Sequence, residues 1–111
     1  MEMQVEELDG GITSVAMRGR FDTKGAESVD LPFSVIAGSK KAVVIDLSEV
    51  DFLASLGIRV LVTSAKAIAR KGGKLVIVVP EGNVLTVLQT AGLESLIPIF
   101  PERATAIAAF S

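Results

Sequence analysis

The chain contains no cysteine and no histidine. Without cysteine it has neither a disulfide framework nor thiolate chemistry. Without histidine it cannot build a Ser-His-Asp triad or a zinc site of the Cys/His type. A magnesium site made of carboxylates and a Ser-Lys pair are still chemically possible. Catalysis is therefore the minority interpretation, and we expect a protein that is not an enzyme and that uses no metal and no cofactor.

Long apolar runs and a strong net charge are missing as well. No apolar run approaches the roughly 20 residues that span a bilayer. A formal charge of -2 gives no broad attraction for nucleic acid or anionic membranes. The acidic segment Met1–Glu7 lacks the basic and then apolar pattern of a secretory signal. We therefore expect a soluble, cytoplasmic protein that binds neither nucleic acid nor membrane.

The composition that is present fits one domain. The 111 residues are 50% hydrophobic, which is enough for a single core, and we expect one domain over residues 1–111. Two β-rich segments, Met3–Leu8 and Ile12–Arg18, flank Asp9-Gly10-Gly11 and predict a hairpin. The imperfect alternation of the second segment predicts a β-bulge.

A helix is predicted over Lys24–Ala37, capped by Asp22 or Thr23. Pro32 lies inside this span and predicts a break into two short helical pieces. The next segment, Val43–Leu47, is almost continuously apolar, which is typical of a strand covered on both faces. We expect a short loop between this strand and the next helix.

The clearest helix begins near Ser55 and ends at Gly72-Gly73. Apolar residues recur at helical spacing along one face: Ile58, Leu61, Val62, Ala65, Ile68 and Ala69. Polar residues occupy the opposite face: Arg59, Thr63, Lys66 and Arg70. Because a second apolar strand, Leu75–Val79, follows, the segment predicts a right-handed βαβ unit with parallel strands.

The C-terminal part predicts two further helices. One starts near Asn83 and stops at Gly92, and the other covers Glu102–Phe110. Between them, the prolines of Pro98–Pro101 leave room for only a very short edge strand. The predicted fold is α/β: a small mixed sheet with an N-terminal hairpin, parallel central strands and about four helices.

Ser55 is the leading candidate for a functional residue. A helix start collects unpaired backbone N–H groups and a partial positive charge, so it suits a phosphate or another anion. The same hydroxyl could instead be the N-cap of the helix, and the two roles can coexist. Leu56 lies off the apolar face and is predicted to contact a partner, whereas Ile58 is predicted to enter the core. Gly57 is expected to permit a close approach of the backbone at the helix start.

Other charged features have simpler interpretations. Asp46 and Asp51 bracket a strand end and are interpreted as turn or capping residues rather than metal ligands. The segment Lys71–Lys74 lacks the spacing of a phosphate-binding loop. The basic face of the helix after Ser55 has no interleaved aromatic residues, which argues against nucleic-acid binding.

The segment Asp46–Ile58, with the sequence DLSEVDFLASLGI, closely resembles the STAS domain family. The segments Gly19–Thr23, Ala91–Leu93 and Ile97–Phe100 are similar to further motifs of that family, so the resemblance covers nearly the whole chain. Within the family, the chain looks most like the single-domain anti-sigma factor antagonists of bacteria.

The resemblance implies a partner-switching role. An unmodified antagonist binds an anti-sigma factor that is also a serine kinase, and this frees a sigma factor. The kinase phosphorylates the serine at the helix start, binding is lost, and a serine phosphatase restores it. By motif match that serine is Ser55, and the implied partner-binding residues are Asp22, Thr23, Ala54, Ser55, Leu56 and Gly57.

Three alternatives stay open. Many family members have an aspartate before the serine where this chain has Ala54, which favours a non-switching interaction subunit such as a sensory-complex scaffold or a transporter-associated protein. A small-ligand or nucleotide binder would use the helix start as an anion site, although no glycine-rich loop accompanies it. A hydrolase with Ser55 as nucleophile would need a lysine partner in place of histidine.

Overall fold

The structure, a computed structural model, describes residues 1–110. In this range the elements follow one another as β1 Glu2–Leu8, β2 Ile12–Phe21, α1 Thr23–Ser39, β3 Ala42–Leu53, α2 Ser55–Arg70, β4 Lys74–Val78, α3 Asn83–Thr90, the 3-10 turn Leu93–Ser95, β5 Ile99–Phe100 and α4 Arg103–Ala108. Over residues 1–110 these elements form one five-stranded sheet with four α-helices, which confirms the predicted α/β fold.

The strands lie in the sheet in the order in which they occur in the chain. β1 pairs with β2 in antiparallel fashion, and each later strand is parallel to the one before it. Gly10 and Gly11 have φ angles of 82° and 77°, which glycine adopts without strain, so they close the predicted hairpin. The expected βαβ unit is confirmed as β3, α2 and β4.

The two faces of the sheet are covered unequally. Val43 and Ile45 of β3 point towards α1, α2 and α3, which cover one face and form the main core. Val44, between them, points to the other face and packs in a smaller cluster with Ala106 of α4. Because both faces are covered here, β3 begins with the continuous apolar run that the sequence displays.

α1 continues through Pro32, so the prediction of two short helical pieces is wrong. Proline in a helix interior costs about 3 kcal/mol because it removes a backbone hydrogen bond and crowds the preceding turn. Pro32 lies on the exposed side, where water can reach the carbonyl that loses its partner. On the opposite side Val29, Phe33 and Ile36 are buried, and each contributes about 1.5–3 kcal/mol. Burial therefore outweighs the local penalty.

β3 is longer than predicted, and it replaces the expected loop before α2. Its polar second half pairs with β2 from Arg18↔Glu49 to Phe21↔Leu53. A 3.1 Å ion pair joins Arg18 to Glu49 across these strands. The pairing with β2 shifts register twice, between Ala16 and Arg18 and between Gly19 and Arg20, and each time the extra residue belongs to β3. β2 itself pairs with β1 without interruption, so the prediction of a bulge in β2 is wrong. Ala54 alone separates β3 from α2, so the sheet itself fixes the start of the helix.

Throughout residues 1–110, no helix combines the length and the apolar character that crossing a lipid bilayer would require.

Candidate functional site

α1 and α2 begin side by side at one edge of the sheet. β2 and β3 are parallel neighbours whose last paired residues are Phe21 and Leu53, and a helix follows each strand almost immediately. The backbone N–H of Ala54 donates a 3.0 Å hydrogen bond to the carbonyl of Phe21. The carboxyl ends of parallel strands are a common place for ligand sites in α/β folds. This topology brings the segments that begin at Asp22 and Ala54 together.

Ser55 is exposed and is the first residue of α2. The N-cap is Ala54, whose methyl side chain cannot accept a hydrogen bond, so the interpretation of Ser55 as the N-cap is wrong. The first intrahelical bond runs from the N–H of Ile58 to the carbonyl of Ala54 at 3.1 Å. The earlier N–H groups of the first turn receive no capping side chain, and the helix start keeps its partial positive charge.

Gly57 explains why α2 can sit so close to the ends of β2 and β3. A Cβ atom at this position would lie 2.9 Å from Cδ1 of Leu53 and 2.9 Å from both Cδ1 and the carbonyl oxygen of Phe21. These separations are too short for carbon, so the predicted close approach of the backbone is confirmed. Gly57 is buried, and its effect on the surface is to position Ser55 and Leu56.

Asp22 is the N-cap of α1, which decides between the two predicted capping residues. Its carboxylate accepts a 2.9 Å hydrogen bond from the N–H of Gly25 and lies 3.5 Å from Nε of Arg20. The Gly25 hydrogen bond, assisted by the Arg20 guanidinium, holds the pKa of the Asp22 carboxyl below its usual value. Thr23 begins α1 and is exposed. Asp22 therefore contributes a fixed negative charge to this edge of the sheet.

Arg20 and Phe52 belong to the same edge, and the sequence analysis missed them both. They are paired across β2 and β3, and the guanidinium carbon of Arg20 lies 4.2 Å from the centre of the Phe52 ring. Such cation–π contacts hold an aromatic ring in place. Phe52 is 37% exposed and Leu56 is 36% exposed, so both apolar side chains reach the solvent. The position of Phe52 directly before Leu53-Ala54-Ser55 could have indicated from the sequence that Phe52 belongs to the site. The pairing of Phe52 with Arg20 could not be predicted, because it depends on how β2 and β3 align.

We call this region the Ser55 surface and define it by its solvent-accessible members: Arg20, Asp22, Thr23, Phe52, Ala54, Ser55 and Leu56. Ile58, the next apolar residue, packs against the main core as predicted. The surface thus combines one hydroxyl at a helix start, two apolar side chains and an Arg–Asp ion pair.

In the part of the chain that the structure describes, no three acidic side chains gather as a metal site would require. The carboxylate of Asp46 instead accepts hydrogen bonds from the N–H and the hydroxyl of Ser48, at 2.9 and 2.6 Å. Asp46 and Asp51 both lie inside β3, so the prediction that they bracket a strand end is wrong, although the bonds from Ser48 to Asp46 are the contact that an Asx turn makes.

The model of the STAS domain family matches residues 3–106. The chain belongs to the STAS domain family. A relative of known sequence is BtrV of Bordetella bronchiseptica, provisionally named an anti-sigma factor antagonist. It is 27% identical over 111 residues, which cover 99% of this chain and 95% of the relative.

Two solved structures share this fold. An anti-sigma factor antagonist from Mycobacterium paratuberculosis superposes with a TM-score of 0.88 at 28% identity, over 97% of this chain and 92% of that one. The phosphorylated form of the Bacillus cell fate determinant SpoIIAA gives a TM-score of 0.75 at 16% identity, over 99% of this chain and 100% of that one. The second comparison establishes a shared fold alone.

Proposed function

We propose that this STAS protein is an anti-sigma factor antagonist. Its unmodified Ser55 surface binds an anti-sigma factor that is also a serine kinase, and this releases a sigma factor. Phosphorylation of Ser55 by that kinase ends the complex, and a serine phosphatase restores it. The protein is thus a kinase substrate rather than an enzyme. The observation that carries the proposal is the exposed Ser55 hydroxyl at the start of α2, with exposed Phe52 and Leu56 beside it in the chain.

The relatives support this role. BtrV, at 27% identity, and the Mycobacterium paratuberculosis protein, at 28% identity, both carry the name anti-sigma factor antagonist, BtrV provisionally. SpoIIAA, which shares the fold, is described in phosphorylated and unphosphorylated forms. A phosphoryl group is therefore compatible with this fold, which is what the proposed switch requires.

The free protein should tolerate a phosphoryl group on Ser55. The group adds about -1.5 to -2 charges at neutral pH. At the exposed start of α2 it meets unpaired N–H groups and the positive end of the helix dipole, an interaction worth roughly 0.3–1 kcal/mol. The fold therefore has no physical reason to change when Ser55 is modified.

A docked partner should reject the same group. In a closed interface the dianion must be desolvated or find new cationic partners, because Arg20 already pairs with Asp22. A cost of about 3 kcal/mol weakens binding roughly a hundredfold. A local steric and electrostatic block is thus sufficient for switching, without a conformational change.

The proposed contacts divide into anchors and supports. Phe52 and Leu56 are the apolar anchors, since exposed large side chains beside a recognition group are typical of binding hot spots. The cation–π contact with Arg20 restrains the ring of Phe52, and the ion pair with Asp22 restrains Arg20. Gly57 positions the surface indirectly, because it allows the start of α2 to pack closely against Phe21.

The direct test isolates the protein's partner from extract of its own source cells and maps phosphorylation after ATP is added. Ser55→Ala should retain binding and lose phosphate incorporation, whereas Ser55→Asp should bind less tightly. Ser95→Asp, an exposed serine remote in sequence from the Ser55 surface, is the matched charge control and should bind as the wild type does. Equal binding by the wild type, Ser55→Ala and Ser55→Asp would contradict the switch.

A second candidate is a STAS interaction subunit that binds its partner without a phosphorylation cycle. The observation that favours it is Ala54, which leaves no carboxylate directly before the serine. In that case the partner is captured as before, but Ser55 is unmodified after incubation with ATP and both Ser55 variants bind like the wild type. The same experiment therefore separates the two candidates.

A further inference from the structure

A groove of about 520 Å³ lies between α1 and α2. Its floor is apolar and consists mainly of small side chains, among them Ala26, Ala37 and Ala67, with Phe33 and Val60 beside them. Small residues on both helices leave space that larger side chains would fill. Leu56 lines one end, so the groove continues directly into the Ser55 surface.

The α1 side of the groove is acidic. Glu27 and Asp30 line it one helical turn apart, and Arg59 of α2 lies among the lining residues of the other side. None of these three residues forms an ion pair within residues 1–110. Free charges beside an apolar floor favour an occupant with an apolar side chain and a cationic group directed at α1.

The outer face of α1 indicates that the occupant is a protein. Leu31 is 73% exposed and Val35 is 61% exposed, and on an ideal helix they lie next to the row of Glu27 and Gly38 that borders the groove. A small molecule could fill the groove but would leave these two side chains in water. A polypeptide segment lying along α1 would cover both features.

We propose that the groove between α1 and α2 is a second anchoring site for the anti-sigma factor kinase, and that it receives an apolar side chain flanked by lysine or arginine. This inference rests on the proposed function, since the groove is continuous with the Ser55 surface through Leu56. The site carries affinity that does not depend on the state of Ser55.

The test uses the purified kinase that the wild-type chain captures, with binding measured by calorimetry. Ser34→Trp fills the groove, and the double variant Glu27→Lys with Asp30→Lys reverses its charge. Each should weaken binding about tenfold or more, and the charge reversal should have less effect at high salt. Gln89→Trp on α3 is an exposed control for the first change and should bind like the wild type.

Glu81→Lys with Glu94→Lys is the control for the double variant, because it makes the same change in net charge at exposed positions outside the groove. If the groove variants bind as tightly as their controls while Ser55→Asp does not, the second site is refuted and the switch stands. If the groove variants lose affinity while Ser55→Asp binds normally, the groove is supported and the switch fails. If no kinase is captured, both proposals fail. Unchanged thermal unfolding of each variant excludes a folding defect.

Discussion

Gly57→Ala is the substitution that most directly tests how α2 packs against the sheet. The added methyl carbon would lie 2.9 Å from the carbonyl oxygen of Phe21, which belongs to a paired strand and cannot move aside as a flexible side chain can. Overpacking of this kind costs about 1–3 kcal/mol. The better helix propensity of alanine offsets roughly 0.5–1 kcal/mol. We expect a net loss of about 1–2 kcal/mol in the free energy of unfolding.

Gly38→Ala is the matched control. Gly38 also lies in a helix, but among residues 1–110 a Cβ at that position would meet nothing within 4 Å. Alanine should therefore stabilise the protein by about 0.5–1 kcal/mol. In urea denaturation, the free energy of unfolding should be lower than that of the wild type for Gly57→Ala and higher for Gly38→Ala. If Gly57→Ala is as stable as the wild type, or if Gly38→Ala loses as much as Gly57→Ala, the close contact at Phe21 is not what fixes α2.

The remaining predictions concern four other residues. Pro32→Ala should stabilise α1 by about 1–3 kcal/mol in urea denaturation, because it restores a backbone hydrogen bond; no gain would contradict the account of its exposed position. Leu61→Ala should cost about 2–5 kcal/mol, because Leu61 is fully buried in the main core. Asp22→Ala should lower the melting temperature at neutral pH. The folded pKa of Asp22 is depressed, so its stabilisation is present above the ordinary value of 3.8 and disappears as pH falls through the folded pKa; the gap to the wild type should close in acid. Phe52→Ala should weaken kinase binding about tenfold or more with little change in melting temperature, and unchanged binding would remove Phe52 from the interface.

Elements with a strong local pattern could be predicted from the sequence. α2 has apolar residues at helical spacing and a glycine pair at its end, and both signals are contained in the segment itself. The hairpin between β1 and β2 depends on Gly10 and Gly11, which lie within three residues of both strands. Each of these features is decided by neighbours in the chain, so a local reading of the sequence was sufficient.

Features decided by distant residues could not be predicted. The second half of β3 is polar, and it forms a strand because its backbone pairs with β2 from Arg18↔Glu49 to Phe21↔Leu53. Pro32 locally disfavours a helix, but the burial of apolar residues on the opposite face of α1 outweighs that cost. The contact between Arg20 and Phe52 joins two strands whose alignment depends on a bulge. The candidate site was therefore found at Ser55, while its aromatic and cationic members were not.

The direct junction of β3 and α2 makes the length of this segment as important as its composition. An α-helix has 3.6 residues per turn, so one residue inserted after Leu53 would rotate the following side chains by about 100° around the helix axis. Gly57 would leave its close contact with Phe21 and Leu53, and Ser55 would face a different direction. Under the proposed function, substitutions at the exposed positions should weaken binding of the partner by degrees, whereas insertions or deletions at this junction should abolish it.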